Sequence, residues 1–232
     1  MFMDSELQYW QMDPEKVASF LETECRTENG ILVNKTTNRR VKAILPVHIL
    51  GHPCDMDPIM ETARRYGLRV VEDATESLGA RYQGTMVGRF GDVACFSFNG
   101  NKLITTGGGG MIATDDIELA QRARYLTTQA KDDPVEYVHN EIGYNYRLNN
   151  IQAAMGVAQM EQIDQFIASK HAIARLYEQG LGDLEQITLM PAQPGTEPAY
   201  WLYTILLHDS ITLAQRKQMI GNLDELGIDT RP

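Results

Sequence analysis

A lysine and an aspartate of this chain each follow an apolar stretch. Lys102 comes after the stretch 96–101 (Phe-Ser-Phe-Asn-Gly-Asn) and precedes a run of glycines, Gly107–Gly110. Asp73 ends the apolar stretch that begins at Val70. A lysine can form a Schiff base with an aldehyde, and an aspartate can keep a pyridine nitrogen protonated, which together are the minimal requirement of pyridoxal phosphate (PLP) chemistry. The sequence therefore predicts PLP as the cofactor and these two side chains as its catalytic residues.

The residues around Lys102 argue against other nucleotide sites. A P-loop also combines glycines with a lysine, but it places the glycines before a Lys-Ser/Thr pair, which is the opposite order. A G-x-G-x-x-G sequence that opens a helix is missing, so a nucleotide-sugar dehydrogenase is disfavoured. The alternative for Lys102 is a solvated loop lysine. The apolar strand before it and the glycines after it, which allow a backbone to approach a ligand closely, favour the functional interpretation.

Four further polar residues are candidates, each with a plainer alternative. Ser97 could donate its hydroxyl to a phosphate or be an alternating strand residue, and Glu76 is either a surface charge or a group near the cofactor. Asn145 and Arg147 precede a long helical stretch, where they could contact a phosphate or substrate or belong to a capping loop. Asp73 itself could be a helix N-cap or an ion-pair partner, although ligands of open α/β sheets bind where it is expected.

Composition limits the class of protein. The net charge of −10 over 232 residues argues against nucleic acid or an anionic membrane as the main partner. Three widely spaced cysteines indicate a reducing compartment, without a disulfide framework or a zinc site. His48 and His52 lack the carboxylate spacing of a metal site, so we predict structural roles for them and no bound metal. No apolar run reaches membrane-spanning length and the N-terminus does not have the form of a signal peptide, which predicts a cytoplasmic protein.

Strand and helix patterns alternate along the chain and predict an α/β fold. The β-α-β unit of Val41–Val47, a helix from Asp57 and Leu68–Glu72 is typical of a parallel sheet with helices packed against it. We predict a mixed, mostly parallel sheet flanked by helices in a large domain, residues 1–170, and an incomplete small α+β domain, residues 171–232. The other predicted elements are a helix Pro14–Thr23, a hairpin at Asn29-Gly30, strands Val93–Phe98, Met111–Thr114 and Trp201–Leu207, and helices Ile117–Leu126, Asn150–Gln179 and Thr212–Leu226.

Many of these residues occur in the order of a known family. The landmarks are Pro46-Val-His-Ile-Leu-Gly51, Val71-Glu-Asp-Ala74, Gly91-Asp92, Phe96-Ser-Phe98, Lys102, Thr105-Thr-Gly107, Gly143-Tyr-Asn-Tyr-Arg147 and Ile151-Gln-Ala-Ala154. They cover most of the chain and resemble the PLP-dependent sugar-nucleotide aminotransferases of the DegT/StrS type, which have PLP fold type I. The stretch 96–111 and the hairpin resemble most the branch that aminates C4 of UDP-linked 4-keto-6-deoxy-N-acetylhexosamines, on the way to bacillosamine- or legionaminic-acid-type sugars of surface polysaccharides.

The resemblance implies a role for each candidate. Lys102 would carry the cofactor and Asp73 would contact its ring nitrogen, while Ser97 would contact its phosphate. Asn145 would reach the phosphate from the neighbouring subunit of a homodimer with shared active sites. Glu76 stands where the family often has glutamine, which leaves its contact to the cofactor ring hydroxyl an open question. Related dehydratases replace the lysine with histidine, so Lys102 favours transamination.

The resemblance also implies the substrates and the extent of the chain. The expected substrates are a UDP-linked keto sugar and L-glutamate as the amino donor. The family's members begin upstream with a phosphate-binding helix N-terminus, and Gly227–Pro232 resembles the entry to a further segment, so we expect a chain truncated at both ends. The alternative function is therefore a non-catalytic fragment or degenerate subunit of such an enzyme.

Overall fold

The computed structural model describes residues 1–133 and 135–232. The helices of these ranges are α1 (Pro14–Thr23), α2 (Met56–Tyr66), α3 (Ile117–Thr127), α4 (Asn150–Met160), α5 (Ile163–Leu181) and α6 (Leu213–Glu225), with one 3-10 turn at Ile49–Gly51. The strands are β1 (Cys25–Glu28), β2 (Ile31–Asn34), β3 (Ala43–Ile44), β4 (Arg69–Asp73), β5 (Arg81–Tyr82), β6 (Thr85–Met86), β7 (Val93–Ser97), β8 (Gly110–Ala113), β9 (Ile187–Leu189), β10 (Thr196–Glu197) and β11 (Ile205–Leu207).

The N-terminal elements follow the sequence pattern. Asp13 caps α1, because its carboxylate accepts hydrogen bonds from the backbone N–H groups of Glu15 and Lys16. Strands β1 and β2 pair antiparallel around Asn29 and Gly30, both of which have positive φ, as a type I′ turn requires. The predicted helix and the predicted hairpin are both confirmed.

The main sheet has the strand order β3-β4-β7-β8. β3 and β7 are both parallel to β4, and β8 is antiparallel to β7. α2 connects β3 to β4, and Gly67 ends it in the left-handed conformation that a residue without a side chain adopts most easily. The α/β fold with a mixed, mostly parallel sheet is thus confirmed. The first strand is shorter than predicted, since only Ala43 and Ile44 pair regularly before the chain turns at Pro46.

The main hydrophobic core lies between this sheet, α1 and α2. Val17 and Leu21 of α1 and Ile59 and Ala63 of α2 are buried in it together with Val70 of β4. The apolar faces of both helices therefore hold β4 in place, and with it the polar residues that follow this strand.

The C-terminal part adds two small sheets and differs from the prediction in two places. The helical stretch Asn150–Gln179 is two helices, α4 and α5, interrupted at Glu161 and Gln162. The predicted strand Trp201–Leu207 is wrong in its first half, since only Ile205–Leu207 pairs, with β9. Within the described parts of the chain no helix is long and apolar enough to cross a membrane.

The segment before Trp201 packs on the large sheet region. β10 pairs with β5, the backbone N–H of Ala199 donates to the oxygen of Gly51 at 2.8 Å, and the backbone N–H of Gln193 donates to the His52 ring at 3.0 Å. This part of the C-terminal region is therefore bound directly to the loop that follows β3.

Candidate active site at the carboxyl end of the sheet

Strand β4 ends in two acidic residues with opposite surroundings. Glu72 is fully buried, whereas Asp73 is half-buried and Glu76 lies three residues beyond it in the following loop. Side chains alternate between the two faces of a strand, so Glu72 and Asp73 point to opposite sides. The carboxyl ends of β4 and β7 lie side by side, with Asp73 opposite Cys95. Asp73, Glu76 and the residues after β7 therefore share one edge of the sheet.

Lys102 lies in a loop that is fixed at both ends. Its backbone N–H donates to Asn99 at 3.1 Å, and Thr106 N–H donates to Phe98 at 3.0 Å. The amide side chain of Gln159, on α4, accepts from the backbone N–H of Thr105 and donates to its oxygen, at 3.0 and 2.6 Å. A side-chain amide that pairs with both backbone groups of one residue holds that residue at a defined position. The loop is therefore anchored to α4.

The Lys102 ammonium lies between a carboxylate and an aromatic ring. Its Nζ is 3.6 Å from Oε1 of Glu76 and 4.1 Å from the ring centroid of Trp201. Only 13% of the Lys102 side chain and 19% of the Glu76 side chain are exposed. The other Glu76 oxygen accepts from the backbone N–H of Leu50 at 2.8 Å. We call Lys102, Glu76 and Trp201 the lysine cluster.

Sequence reasoning did not identify Trp201. It lay inside a predicted strand, where its ring would have been one of several alternating apolar side chains. In the structure the preceding residue, Tyr200, has φ +47°, a conformation that ends an extended run. The indole N–H of Trp201 then donates to the backbone oxygen of Asn101 at 2.6 Å. No local sequence signal announces this turn, because tyrosine seldom adopts positive φ.

Asp73 and Ser97 are positioned at the same edge of the sheet. Oδ1 of Asp73 accepts from the backbone N–H of Thr75 at 3.1 Å, and across residues 1–133 and 135–232 its carboxylate forms no other hydrogen bond. Oγ of Ser97, the last residue of β7, accepts from Asn99 N–H at 3.3 Å, and its hydroxyl proton is left for another acceptor. An amine, a carboxylate with a free oxygen and a hydroxyl donor fit the aldehyde, ring nitrogen and phosphate of PLP in chemical type.

Asn145 and Arg147 lie elsewhere. Asn145 is exposed and pairs with Thr128, beyond the end of α3. Both residues line an open groove along β8 and α3. Among the described residues, neither side chain has a hydrogen bond or ion pair with Lys102, Asp73, Glu76 or Ser97. The structure thus brings together four of the five predicted site residues at one sheet edge and places Asn145 at the other side of the chain.

His48 and His52 have the structural roles predicted for them. His48 Nδ1 accepts from the backbone N–H of Cys54 at 3.0 Å, so the ring proton is on Nε2, which donates to Glu72 at 3.1 Å. His52 donates from Nδ1 to Pro53 and accepts from Gln193 at Nε2. Burial lowers the pKa of His52, because a charged ring would be poorly solvated there. No group of potential metal ligands occurs in the part of the chain that the structure describes.

Glu72 is bound by four donors. Besides His48, the backbone N–H groups of Gly88, Phe90 and Gly91 donate to its carboxylate at 2.7, 2.8 and 2.6 Å. Burial by itself would raise the pKa of Glu72, but the hydrogen bonds from His48, Gly91 and Gly88 outweigh burial and lower it. Glu72 is therefore a buried carboxylate that fixes the loop after β6 to β4.

Comparisons with known proteins place this geometry in a family. The model of the DegT/DnrJ/EryC1/StrS aminotransferase family matches residues 1–232. GDP-perosamine synthase of Caulobacter vibrioides is 47% identical over 194 residues, which are 83% of this chain and 52% of that protein. GDP-perosamine synthase of Escherichia coli O157:H7 is 39% identical over 232 residues, 100% of this chain and 58% of that protein. The chain thus spans a little over half the length of these relatives.

A solved structure supports the same placement. The crystal structure of DesV from S. venezuelae, in complex with a ketimine intermediate, superposes with a TM-score of 0.82 at 34% identity. The match covers 98% of this chain and 55% of DesV. The fold that the sequence predicted therefore occurs in a solved aminotransferase.

Proposed function

This chain belongs to the DegT/DnrJ/EryC1/StrS aminotransferase family, whose members depend on PLP, and from that premise we propose that it transaminates a nucleotide-linked 4-keto-6-deoxy sugar. The observation that carries the proposal is the lysine cluster, where the half-buried Lys102 amine is fixed at the carboxyl end of the sheet, next to Asp73 and Ser97. L-glutamate is the proposed amino donor and the cytoplasm the proposed location.

Each residue would have one task. PLP supplies an aldehyde that condenses with amines and a ring that accepts electrons. Lys102 would bind the aldehyde and, when displaced by a substrate amine, would move a proton at the substrate carbon through Nζ. Asp73 would hold a proton on the ring nitrogen with its free oxygen, and Ser97 would donate its hydroxyl to the phosphate. Glu76 would orient the Lys102 amine.

The nucleotide of the substrate has two candidates. The likeness of residues 96–111 and of the hairpin favours a UDP-linked N-acetylhexosamine derivative. The name of the Caulobacter relative, which is 47% identical, favours a GDP-linked sugar. We propose an assay of the protein with PLP and L-glutamate against UDP-, GDP- and dTDP-linked 4-keto-6-deoxy sugars, which follows 2-oxoglutarate release. The product would feed the synthesis of surface polysaccharide.

A second copy of the chain would complete the site. The exposed position of Asn145 fits a residue that serves a neighbouring subunit, and α4 exposes four large apolar side chains that a partner could cover. These are Ile151, Met155, Val157 and Met160. Mixing Lys102→Ala with Asn145→Ala subunits tests this arrangement. Only mixed dimers then contain one intact site, so about a quarter of all sites should regain activity.

The absorbance of the Schiff base tests the role of Lys102 directly. Adding PLP to the purified protein should produce the band, and Lys102→Ala should abolish it. Lys131→Ala is the matched control, because Lys131 also lies over an aromatic ring, at 4.2 Å from Tyr137, but in another part of the fold. A band that survives Lys102→Ala refutes the assignment. A band without turnover on any sugar would favour the non-catalytic alternative.

A further inference from the structure

Trp201 contacts the one residue on which the proposed chemistry depends. Its ring faces the Lys102 ammonium at 4.1 Å, and its indole N–H donates to the backbone oxygen of the preceding residue, Asn101, at 2.6 Å. The indole is therefore attached to the Lys102 loop by two independent contacts. Its own backbone oxygen accepts from the Lys170 ammonium at 3.0 Å, which fixes the main chain at this point.

We propose that Trp201 is a positioning residue that holds the amine of Lys102 against the Glu76 carboxylate whenever this lysine is not covalently bound to the cofactor. The inference rests on the proposed function, because it names what holds the amine of that same site. A tryptophan face attracts an ammonium ion electrostatically, by an amount that corresponds to about twofold to thirtyfold in occupancy, depending on solvation. The low exposure of the Lys102 side chain places it toward the stronger end of that range.

One short turn fixes both partners of the amine. The 3-10 turn Ile49–Gly51 supplies the N–H of Leu50 to Glu76 and the oxygen of Gly51 to Ala199, two residues before Trp201. A Cβ on Gly51 would lie 2.8 Å from the backbone nitrogen of Trp201, so the two segments meet without space for a side chain. The carboxylate and the indole are thus held at a fixed separation, with Lys102 between them.

The contact can be tested without the cofactor. Trp10 and Trp201 are the two tryptophans of the chain, so Trp10→Phe leaves Trp201 as the single indole emitter. An ammonium ion next to an excited indole quenches it by proton transfer, and Lys102→Met should therefore raise the emission yield. Lys131→Met, the matched control, should leave the yield unchanged. An unchanged yield after Lys102→Met overturns the contact.

Schiff-base formation tests the consequence. The reaction condenses the Lys102 amine with the PLP aldehyde and releases water, and a pre-positioned amine reacts faster. Trp201→Leu should slow the appearance of the absorbance band by about twofold to thirtyfold. Trp201→Phe keeps an aromatic face and should restore the rate to within about threefold of the original. Equal rates in Trp201→Leu and the unaltered protein, or equal losses in Leu and Phe variants, overturn the inference.

The two proposals fail in different ways. If the band persists in Lys102→Ala, the proposed function is wrong, whereas the emission result with Lys102→Met still decides whether Trp201 contacts this lysine. If Lys102→Ala abolishes the band but Trp201→Leu forms it at the original rate, the proposed function stands and the positioning role of Trp201 is wrong.

Discussion

Two glutamates near the end of β4 show how the same side chain serves different purposes. Glu72 is fully buried and its two oxygens accept four hydrogen bonds, from one histidine ring and three backbone N–H groups. Glu76 accepts one backbone N–H and lies 3.6 Å from the ammonium of Lys102, with 19% of its side chain exposed. Glu72 has no free acceptor capacity, whereas Glu76 has.

The difference separates architecture from chemistry. A buried carboxylate must be fully hydrogen-bonded to be tolerated, and the groups that satisfy it leave no room for a ligand. The half-exposed Glu76 can exchange one partner for another as a substrate arrives. We therefore expect substitutions of Glu72 to change stability and substitutions of Glu76 to change the site.

The largest effect is expected for Glu72→Gln. The glutamine nitrogen would face the N–H of Gly88 and the Nε2–H of His48, two donors against a donor. His48 cannot change its tautomer to help, because its Nδ1 already accepts from Cys54. Breaking a buried pair and leaving donors unsatisfied costs about 3–5 kcal/mol, measured as the free energy of unfolding in urea.

A matched control and a pH series sharpen that result. Glu61→Gln removes an exposed carboxylate from α2 and should change stability by less than about 0.5 kcal/mol. Because the folded protein lowers the pKa of Glu72, its unfolded state binds more protons near and below the ordinary value of 4.5. The stabilisation is present above that pH and is lost as the pH falls through the folded value. A glutamine variant as stable as the Glu61 control would contradict the structural role of Glu72.

Sequence predicted the local parts of the site but not the contacts between distant segments. Lys102, Asp73 and Ser97 could be placed because each follows an apolar strand, and parallel strands end at one edge. The interaction of Trp201 with Lys102 depends on positive φ at Tyr200, which no residue type indicates. For the same reason the strand Trp201–Leu207 was predicted too long.

The pairing of His48 with Glu72 was equally invisible in the sequence. The resemblance contained both residues within landmarks but assigned a role to neither. Their contact joins residues 24 positions apart, and only the packed sheet brings them together. Helix caps and hairpin turns, by contrast, depend on neighbouring residues, as at Asp13 and Asn29-Gly30, and were predicted correctly.

An intermediate effect is expected for Gly51→Ala, which tests how the two glutamate environments are connected. Gly51 and Gly67 both have positive φ, at +88° and +63°, so alanine strains the backbone at either position by about 1–2 kcal/mol. Gly67 has open space around it, while a Cβ on Gly51 would lie 2.8 Å from Trp201 N and 3.1 Å from Glu76 O. Gly51→Ala should therefore destabilise the protein more than Gly67→Ala.

The same pair of variants separates strain from displacement. Both are compared by thermal unfolding and by the rate of Schiff-base formation with PLP. Gly51→Ala should also slow Schiff-base formation, because it moves the backbone of Trp201 and Glu76, whereas Gly67→Ala should leave that rate unchanged. Equal behaviour of the two variants would show that the turn Ile49–Gly51 does not position the lysine cluster.

The smallest change in stability is expected for Glu76→Gln. The glutamine oxygen can still accept from the N–H of Leu50, and a largely exposed ion pair contributes only about 0–1 kcal/mol; that range is an upper bound for this pair, which is partly shielded but still solvated. The unfolding free energy should thus fall by about 1 kcal/mol or less, and the difference from the unaltered protein should shrink at high salt, which screens the lost attraction. The Schiff-base band should persist, since glutamine is common at this position in the family. A loss of stability as large as that of Glu72→Gln would mean that both carboxylates serve the architecture, and the distinction drawn between them would fail.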